Sequence, residues 1–201
     1  MQSAEEAIAR LRRGNRRFIE GNIDQGRHVH RSDLVDGQRP FAIVLACSDS
    51  RVPVETVFDQ GLGDLFVIRI AGNIVAPSQI GSIEFATTAY GTRLVVVLGH
   101  SNCGAIAATL DDLSRDVNLL SPFLRVIVDR VRPAVEPVLA EHGGKIDVET
   151  MRSAVLANVR ASVAALRHGS EILKGLTDEG KLTIVGAKYS IATGEVLFLE
   201  D

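Results

Sequence analysis

The sequence predicts a single α/β domain whose central sheet has four parallel strands and an antiparallel edge strand, with helices covering the sheet. Four apolar runs rich in branched residues are separated by segments of helical character, and none of the runs alternates between apolar and polar residues. Near-continuous Val, Ile and Leu is typical of parallel strands that are buried on both faces. A fifth run follows the fourth too closely for a crossover helix, which predicts an antiparallel partner at the edge.

The predicted strands are, in chain order, FAIVLA (41–46), LFVIRI (65–70), LVVVLG (94–99), LTIVGA (182–187) and EVLFL (195–199). Gly194 is the expected turn residue between the last two. The first helix should begin at a capping box formed by Ser3 and Glu6 and end near Gly21. Further helices are expected after Pro53, from 78 to 91, and from Cys103 onward.

The longest helical stretch, roughly 118–174, contains several helix breakers. They are Pro122, Pro133, Pro137, Gly143 and Gly144. Because an interior proline removes a hydrogen bond and a glycine pair weakens a helix, this stretch should form at least two helices, with Asp147 as the cap of the second.

Composition favours one compact domain over residues 1–201. The chain is 46% hydrophobic, has a formal net charge of -3 and shows no internal repeat. This charge argues against nucleic acid or an anionic membrane as the main partner, whereas a small uncharged substrate fits. There is neither a run of roughly 18 apolar residues nor the apolar core of a secretory signal, so we expect no membrane partner and a reducing, cytoplasmic setting.

The segment 21–40 is the one long polar connection, and we expect an exposed loop there. The preceding helix carries Arg12, Arg13, Arg16 and Arg17. These arginines form either a solvated face or an arm on a neighbour, and we expect the N-terminal region of about 1–40 to pack on a partner subunit. In the loop, His28 and His30 are interpreted as solvated, because no cysteine or carboxylate pattern accompanies them.

Two short clusters of metal-capable side chains directly follow the first and third apolar runs. Cys47, Asp49 and Arg51 lie in ACSDSR, and His100 and Cys103 lie in GHSNCG, so both cysteines of the chain are included. Since the carboxyl ends of parallel strands meet at one edge of a sheet, both clusters should face one crevice. Two thiolates and an imidazole are ligands that zinc favours, and a nearby carboxylate is either a fourth ligand or the group that leaves a position open for water.

These motifs resemble the beta class of carbonic anhydrases, whose hallmark is C-x-D-x-R followed by H-x-x-C. The likeness extends over most of the chain, and residues 110–160 are its least diagnostic part. The segments that carry it are DQGLGDLFVIRIAGN (59–73), GSIEFA (81–86), VVVLGHSNCGA (95–105) and GAKYSIATGEV (186–196).

The resemblance implies one zinc ion per subunit, held by Cys47, His100 and Cys103, with water or Asp49 in the fourth position. It also implies a carbonate dehydratase, in which zinc-bound hydroxide hydrates carbon dioxide reversibly to bicarbonate and a proton. Two thiolates and a neutral imidazole make the site formally neutral, so an ionised Asp49 is drawn to the metal unless Arg51 holds it bidentately. Because thiolates donate more charge than imidazoles, activity should rise on the alkaline side.

By the same resemblance, Gln38 is expected to hydrogen-bond the substrate, and Phe66 and Phe85 are expected to line an apolar pocket. The simpler interpretation of both phenylalanines is ordinary core. The family completes its pocket across a dimer interface, which implies a homodimer or a tetramer built from dimers.

The sequence allows two alternatives to a carbonic anhydrase and argues against a third. Carbonyl sulfide and carbon disulfide are linear isosteres of carbon dioxide, so the same site could hydrolyse them. A non-catalytic bicarbonate-binding or scaffold protein with a structural zinc would be favoured by loss of Asp49 or Arg51, and both are present. No G-x-G-x-x-G follows the first strand, which argues against a dinucleotide-binding enzyme.

Overall fold

The computed structural model describes residues 2–24, 34–115 and 121–200. The strands are β1 (Ala42–Ala46), β2 (Leu65–Arg69), β3 (Leu94–His100), β4 (Thr183–Tyr189) and β5 (Val196–Phe198). The helices are α1 (Ala4–Ile19), α2 (Val54–Val57), α3 (Pro77–Tyr90), α4 (Gly104–Leu113), α5 (Pro122–Glu141), α6 (Val148–His168) and α7 (Glu171–Asp178), and a 3₁₀ turn spans Ala71–Asn73. His28 and His30 lie outside the described residues, as do 116–120.

The five strands form one sheet in the order β2-β1-β3-β4-β5. β1 pairs in parallel with both β2 and β3, and β4 extends the parallel part from β3. β5 is antiparallel to β4, after a turn in which Gly194 has a φ of 76°. The predicted fold class is therefore confirmed, including the antiparallel edge.

Helices bury both faces of the sheet, which explains why the strand sequences do not alternate. In β1, Ala42, Val44 and Ala46 pack in a cluster with residues of α1 and α2. Ile43 and Leu45 point to the opposite cluster, which contains residues of α3, α6 and α7. Every residue of β1 is buried, so each position must be apolar.

The N-terminal helix docks on its own chain. Its predicted capping box is present, with Ser3 and Glu6 each bonding the other's backbone. Asn15, which is buried, donates to the carbonyls of Val57 and Gly194, and its own oxygen accepts from the backbone N–H of Val196. This one amide thus ties α1 to α2 and to the final hairpin.

The five arginines of α1 divide into two groups. Arg10 and Arg17 form ion pairs with aspartates of their own chain. Arg12, Arg13 and Arg16 are exposed. The arm that the sequence predicts on a partner subunit therefore presents three arginines at most.

The expected interruption of the long helical stretch at Pro133 and Pro137 is wrong. Both prolines lie inside α5, one turn apart and exposed. Each proline lacks the N–H that would bond the carbonyl one turn earlier. Both of these carbonyls lie on the exposed face of the helix, where water can bond them, so the helix continues. It ends instead at Glu141, with His142 as the C-cap before the two glycines. Asp147 caps α6 as expected by accepting from two backbone N–H groups.

No helix among the described residues is both long and apolar enough to span a bilayer.

Replacing Gly14 with alanine should destabilise the protein, because the added Cβ would lie 1.8 Å from the carbonyl oxygen of Phe58. Overpacking of this kind costs about 1–3 kcal/mol. Gly175→Ala in α7 is the matched control, since nothing lies within 4 Å of its added Cβ and alanine favours a helix by about 1 kcal/mol over glycine. Urea denaturation should show a lower free energy of unfolding for Gly14→Ala alone. An unchanged value would contradict the tight docking of α1.

Candidate metal centre

Three elements bring the predicted ligands together at the carboxyl edge of the sheet. Cys47 directly follows β1, and His100 is the last residue of the neighbouring parallel strand β3. Cys103 lies three residues after the end of β3 and is the N-cap of α4. The two clusters therefore meet at one edge of the sheet, as the sequence predicts, and they stand on strand ends rather than on a long loop.

The ligand atoms of Cys47, His100 and Cys103 all lie within 4.8 Å of one another. The two sulfurs are 3.9 Å apart. Two sulfurs bound to one tetrahedral zinc at about 2.3 Å would be roughly 3.8 Å apart, so the cysteine pair already has the spacing of a zinc site. All three side chains are buried, with at most 5% of any of them exposed.

The orientation of His100 fits the role of a ligand. Its Nδ1 lies 3.0 Å from the carbonyl oxygen of Ser101, which accepts a hydrogen bond and so places the ring proton on Nδ1. Nε2 is then unprotonated, and it is buried without a hydrogen-bond partner among the described residues. A buried nitrogen without a partner is costly, and a metal ion at this position would satisfy it.

The two thiols are strongly coupled. The pKa of Cys47 is lowered, chiefly because the Cys103 thiol donates a hydrogen bond to its sulfur, while burial acts in the opposite direction. The pKa of Cys103 is raised, because its proton is held by Cys47, because it is buried, and because a second thiolate would face the first. A divalent cation between the sulfurs would remove this repulsion and favour both thiolates.

Asp49 is held by Arg51. The guanidinium donates to both carboxylate oxygens, from Nε to Oδ1 at 2.9 Å and from a terminal nitrogen to Oδ2 at 2.7 Å. The backbone N–H of Arg51 adds a bond to Oδ1 at 3.0 Å. These bonds to Arg51 are the main reason why the pKa of Asp49 lies well below its usual range. Oδ2 is 3.9 Å from Nε2 of His100, so the carboxylate borders the cluster of three ligands.

Comparison with known proteins agrees with this geometry. A family model described as carbonic anhydrase matches residues 42–196. The carbonic anhydrase of Mycolicibacterium smegmatis is 41% identical over 190 residues, which cover 92% of this chain and 88% of that protein. The solved structure of the beta-carbonic anhydrase CcaA superimposes with a TM-score of 0.74 and 28% identity, over 96% of this chain and 88% of that one. The chain belongs to the beta-carbonic anhydrase family.

A second relative supports the same assignment. Carbonic anhydrase 2 of Mycobacterium tuberculosis is 38% identical over 189 residues, covering 93% of this chain and 88% of that protein. The likeness to beta-carbonic anhydrases therefore spans nearly the whole chain rather than the ligand motifs alone.

Sequence reasoning missed the role of Arg69 in this beta-carbonic anhydrase site. Its guanidinium donates to the carbonyl of Cys47 at 3.1 Å and to the carbonyl of Asp49 at 2.6 Å, and so fixes the backbone between a ligand and the carboxylate. Arg69 is the residue of β2 that pairs with Ala46. The only signal in the sequence was a charged residue near the end of an otherwise apolar run.

The three residues expected to contact substrate lie together, but at the other end of the sheet from the ligands. Gln38 precedes β1 and donates to the hydroxyl of Tyr90 at 2.9 Å. The rings of Phe66 and Phe85 lie 6.4 Å apart, and both contact the ring of Tyr90. Phe66 pairs with Ile43, four residues before Cys47, or roughly 13 Å along the strand.

Phe85 is 53% exposed, so the interpretation of this phenylalanine as ordinary core is wrong. Within one chain, the structure does not bring Gln38, Phe66 or Phe85 to the ligands.

Cys103→Ala should lose the metal, because a site with one thiolate and one imidazole lacks the third protein ligand that zinc sites use. We expect zinc content, measured by mass spectrometry after gel filtration, to fall from about one ion per chain to a small fraction of that. His168→Ala is the control, because His168 is an exposed histidine at the end of α6. Full zinc content in Cys103→Ala would overturn the ligand assignment.

Proposed function

We propose that this chain catalyses the reversible hydration of carbon dioxide to bicarbonate and a proton, with zinc held by Cys47, His100 and Cys103. The observation that carries the proposal is the buried cluster of two sulfurs and an unpartnered imidazole nitrogen, bordered by the Asp49–Arg51 pair. Family membership supports the same activity, since the relatives are named carbonic anhydrases.

Zinc, when bound, would act as a Lewis acid that lowers the pKa of a water molecule. The chain's own residues supply the remaining requirements. Two sulfurs and one nitrogen occupy three positions of a tetrahedral site, which leaves one for water. Burial of all three ligands keeps bulk solvent from competing for them.

Asp49 is proposed to orient the attacking water. Oδ1 accepts two hydrogen bonds from Arg51, whereas Oδ2 accepts one. Oδ2 therefore retains acceptor capacity on the side that borders His100. Because the pKa of Asp49 is lowered, the carboxylate stays ionised at neutral pH and accepts a hydrogen bond rather than donating one.

Arg51 is proposed to keep the site open. For Asp49 to become the fourth ligand, it would have to give up three hydrogen bonds from Arg51, two of them from the charged guanidinium. Hydrogen bonds between charged groups are roughly twice as strong as neutral ones, so the pair favours Asp49 beside the metal rather than on it. The closed state with Asp49 as a ligand would then be a minor state.

The substrate pocket is proposed to be completed by a second copy of the chain, in a homodimer or a tetramer of dimers. Gln38, Phe66 and Phe85 are too far along the sheet to reach the ligands of their own chain, while Phe85 and the nearby surface residue Leu62 are exposed. A neighbouring chain would bury these side chains, and they would lie near the metal of that neighbour. The N-terminal region of about 1–40 is proposed to join this interface, and the two free thiols suit a reducing, cytoplasmic setting.

Carbon dioxide hydration by zinc-replete protein, followed by stopped flow from about pH 6 to about pH 9, should grow with pH. Asp49 remains ionised throughout, so its titration does not produce the slope. The rise of the rate with pH instead reports deprotonation of the attacking water. The pKa of this water should exceed the value of about 7 found for zinc held by three histidines, because two thiolates donate more charge to the metal. No turnover at any pH, with zinc bound, would contradict the proposal, and turnover of carbonyl sulfide alone would redirect it to a hydrolase.

Arg51→Ala should keep zinc but lower kcat/KM by roughly 10- to 100-fold, since Asp49 loses the group that orients it and holds it off the metal. Arg115→Ala is a matched control. Arg115 is also exposed and forms a bidentate pair with Asp111, at 2.9 Å and 2.8 Å, but at the C-terminal end of α4 rather than beside the ligands. Zinc content and stopped-flow rates, measured for both variants, test whether Arg51 affects turnover without affecting metal binding. Equal rates for wild type and Arg51→Ala would remove Arg51 from the mechanism.

A further inference from the structure

A backbone N–H group points at one of the ligand sulfurs. Gly72, in the 3₁₀ turn that follows β2, donates from its backbone nitrogen to Sγ of Cys47 at 3.4 Å. Gly72 is buried and has a φ of 69°, a conformation that favours glycine. The hydrogen bond to this sulfur therefore depends on how the turn is held.

Two buried side chains of α6 hold the turn by its carbonyls. Nδ2 of Asn158 donates to the carbonyl of Gly72 at 2.9 Å, and the hydroxyl of Ser162 donates to the carbonyl of Asn73 at 3.2 Å. Asn158 and Ser162 lie one helical turn apart, and they are 3% and 5% exposed. Neither contacts a metal ligand directly in these hydrogen bonds.

The position of α6 is set by close packing on the sheet. Val159, next to Asn158, packs between two glycines, because a Cβ at Gly99 would lie 2.5 Å from one of its methyl carbons and a Cβ at Gly186 would lie 2.8 Å from the other. In the register of β3 and β4, Gly99 pairs with Lys188, two residues beyond Gly186. The helix is thus fixed where Asn158 reaches the turn.

The opposite side of the turn is also closed. A Cβ at Gly72 would lie 3.1 Å from Cβ of Ala105 in α4 and 3.4 Å from a methyl carbon of Val131 in α5. The turn therefore has little room to shift toward these helices. Of the two side chains of α6, Asn158 is the one that bonds the carbonyl of Gly72, the residue whose N–H donates to Cys47.

We propose that Asn158 is a positioning residue of the metal centre: by holding the carbonyl of Gly72, it keeps the N–H of Gly72 on the sulfur of Cys47. A hydrogen bond to a thiolate withdraws charge from it, so the sulfur donates less charge to a bound metal. A metal held by this sulfur would then acidify water more than one held by a thiolate without the hydrogen bond. This inference rests on the proposed metal centre, but not on the identity of the substrate.

The test uses the cobalt(II)-substituted protein, in which thiolate-to-metal charge transfer gives an absorption band. In Asn158→Leu, which keeps the branched shape and the number of side-chain heavy atoms, and in Asn158→Ala, loss of the hydrogen bond should make the thiolate a stronger donor and move this band to longer wavelength. Ser162→Ala is the matched control, since it removes a bond to the same turn but not to Gly72. The charge-transfer band of Ser162→Ala should lie at the wild-type wavelength. A wild-type band position in both Asn158 variants would overturn the proposal.

A pH profile of the zinc forms gives a second readout. The midpoint of the pH profile of carbon dioxide hydration should move to higher pH in the Asn158 variants, and not in Ser162→Ala. The reason is that zinc bound to a more strongly donating sulfur would acidify water less. A purely structural role would lower the rate without moving the midpoint, and that result would also overturn the proposal.

Failure of the metal centre is distinguishable from failure of this inference. If wild-type protein shows no thiolate charge-transfer band with cobalt(II), the proposed ligand set fails. If the Asn158 variants do not fold, wild-type protein loaded with an NMR-active cadmium isotope decides the underlying contact. The amide proton of Gly72 should then show scalar coupling to the metal through the sulfur, and absence of that coupling would overturn the proposal.

Discussion

The candidate metal centre depends on two buried sulfurs that lie 3.9 Å apart. Side by side and away from water, two thiolates repel each other, so without a cation the pair retains a proton, as the lowered pKa of Cys47 and the raised pKa of Cys103 indicate. A divalent metal ion bound between the sulfurs would reverse this balance, because it would attract both charges at once. The rest of the site adds His100 as the third candidate ligand, the Asp49–Arg51 ion pair beside it, and a rigid backbone around both sulfurs.

The fold provides that surround with short, regular elements. Adjacent parallel strands deliver Cys47 and His100 to one edge, and the helix that follows β3 returns Cys103 to them. Arg69 clamps the backbone after Cys47, and the turn containing Gly72 closes the far side of its sulfur. Precision at the ligands therefore comes from strand register and helix packing.

Much of this organisation could be predicted from the sequence, for identifiable reasons. Both faces of β1 are buried, so its apolar run could be recognised without alternation. The ligands could be placed because strand ends in a parallel sheet share an edge.

Other features depend on tertiary positions that no local pattern encodes. Pro133 and Pro137 stay within α5 because their face of the helix is exposed. Asn158 and Arg69 act through backbone carbonyls of distant segments, and any side chain with a donor could do so. The proposed role of Gln38 would depend on a second chain, which the pattern of one chain does not encode.

X-ray absorption at the zinc edge of the zinc-loaded protein tests the ligand set most directly. The account predicts two sulfur neighbours at about 2.3 Å and two nitrogen or oxygen neighbours at about 2.0–2.1 Å. A zinc ion with fewer than two sulfur neighbours would contradict it, since Cys47 and Cys103 would then not hold the metal together.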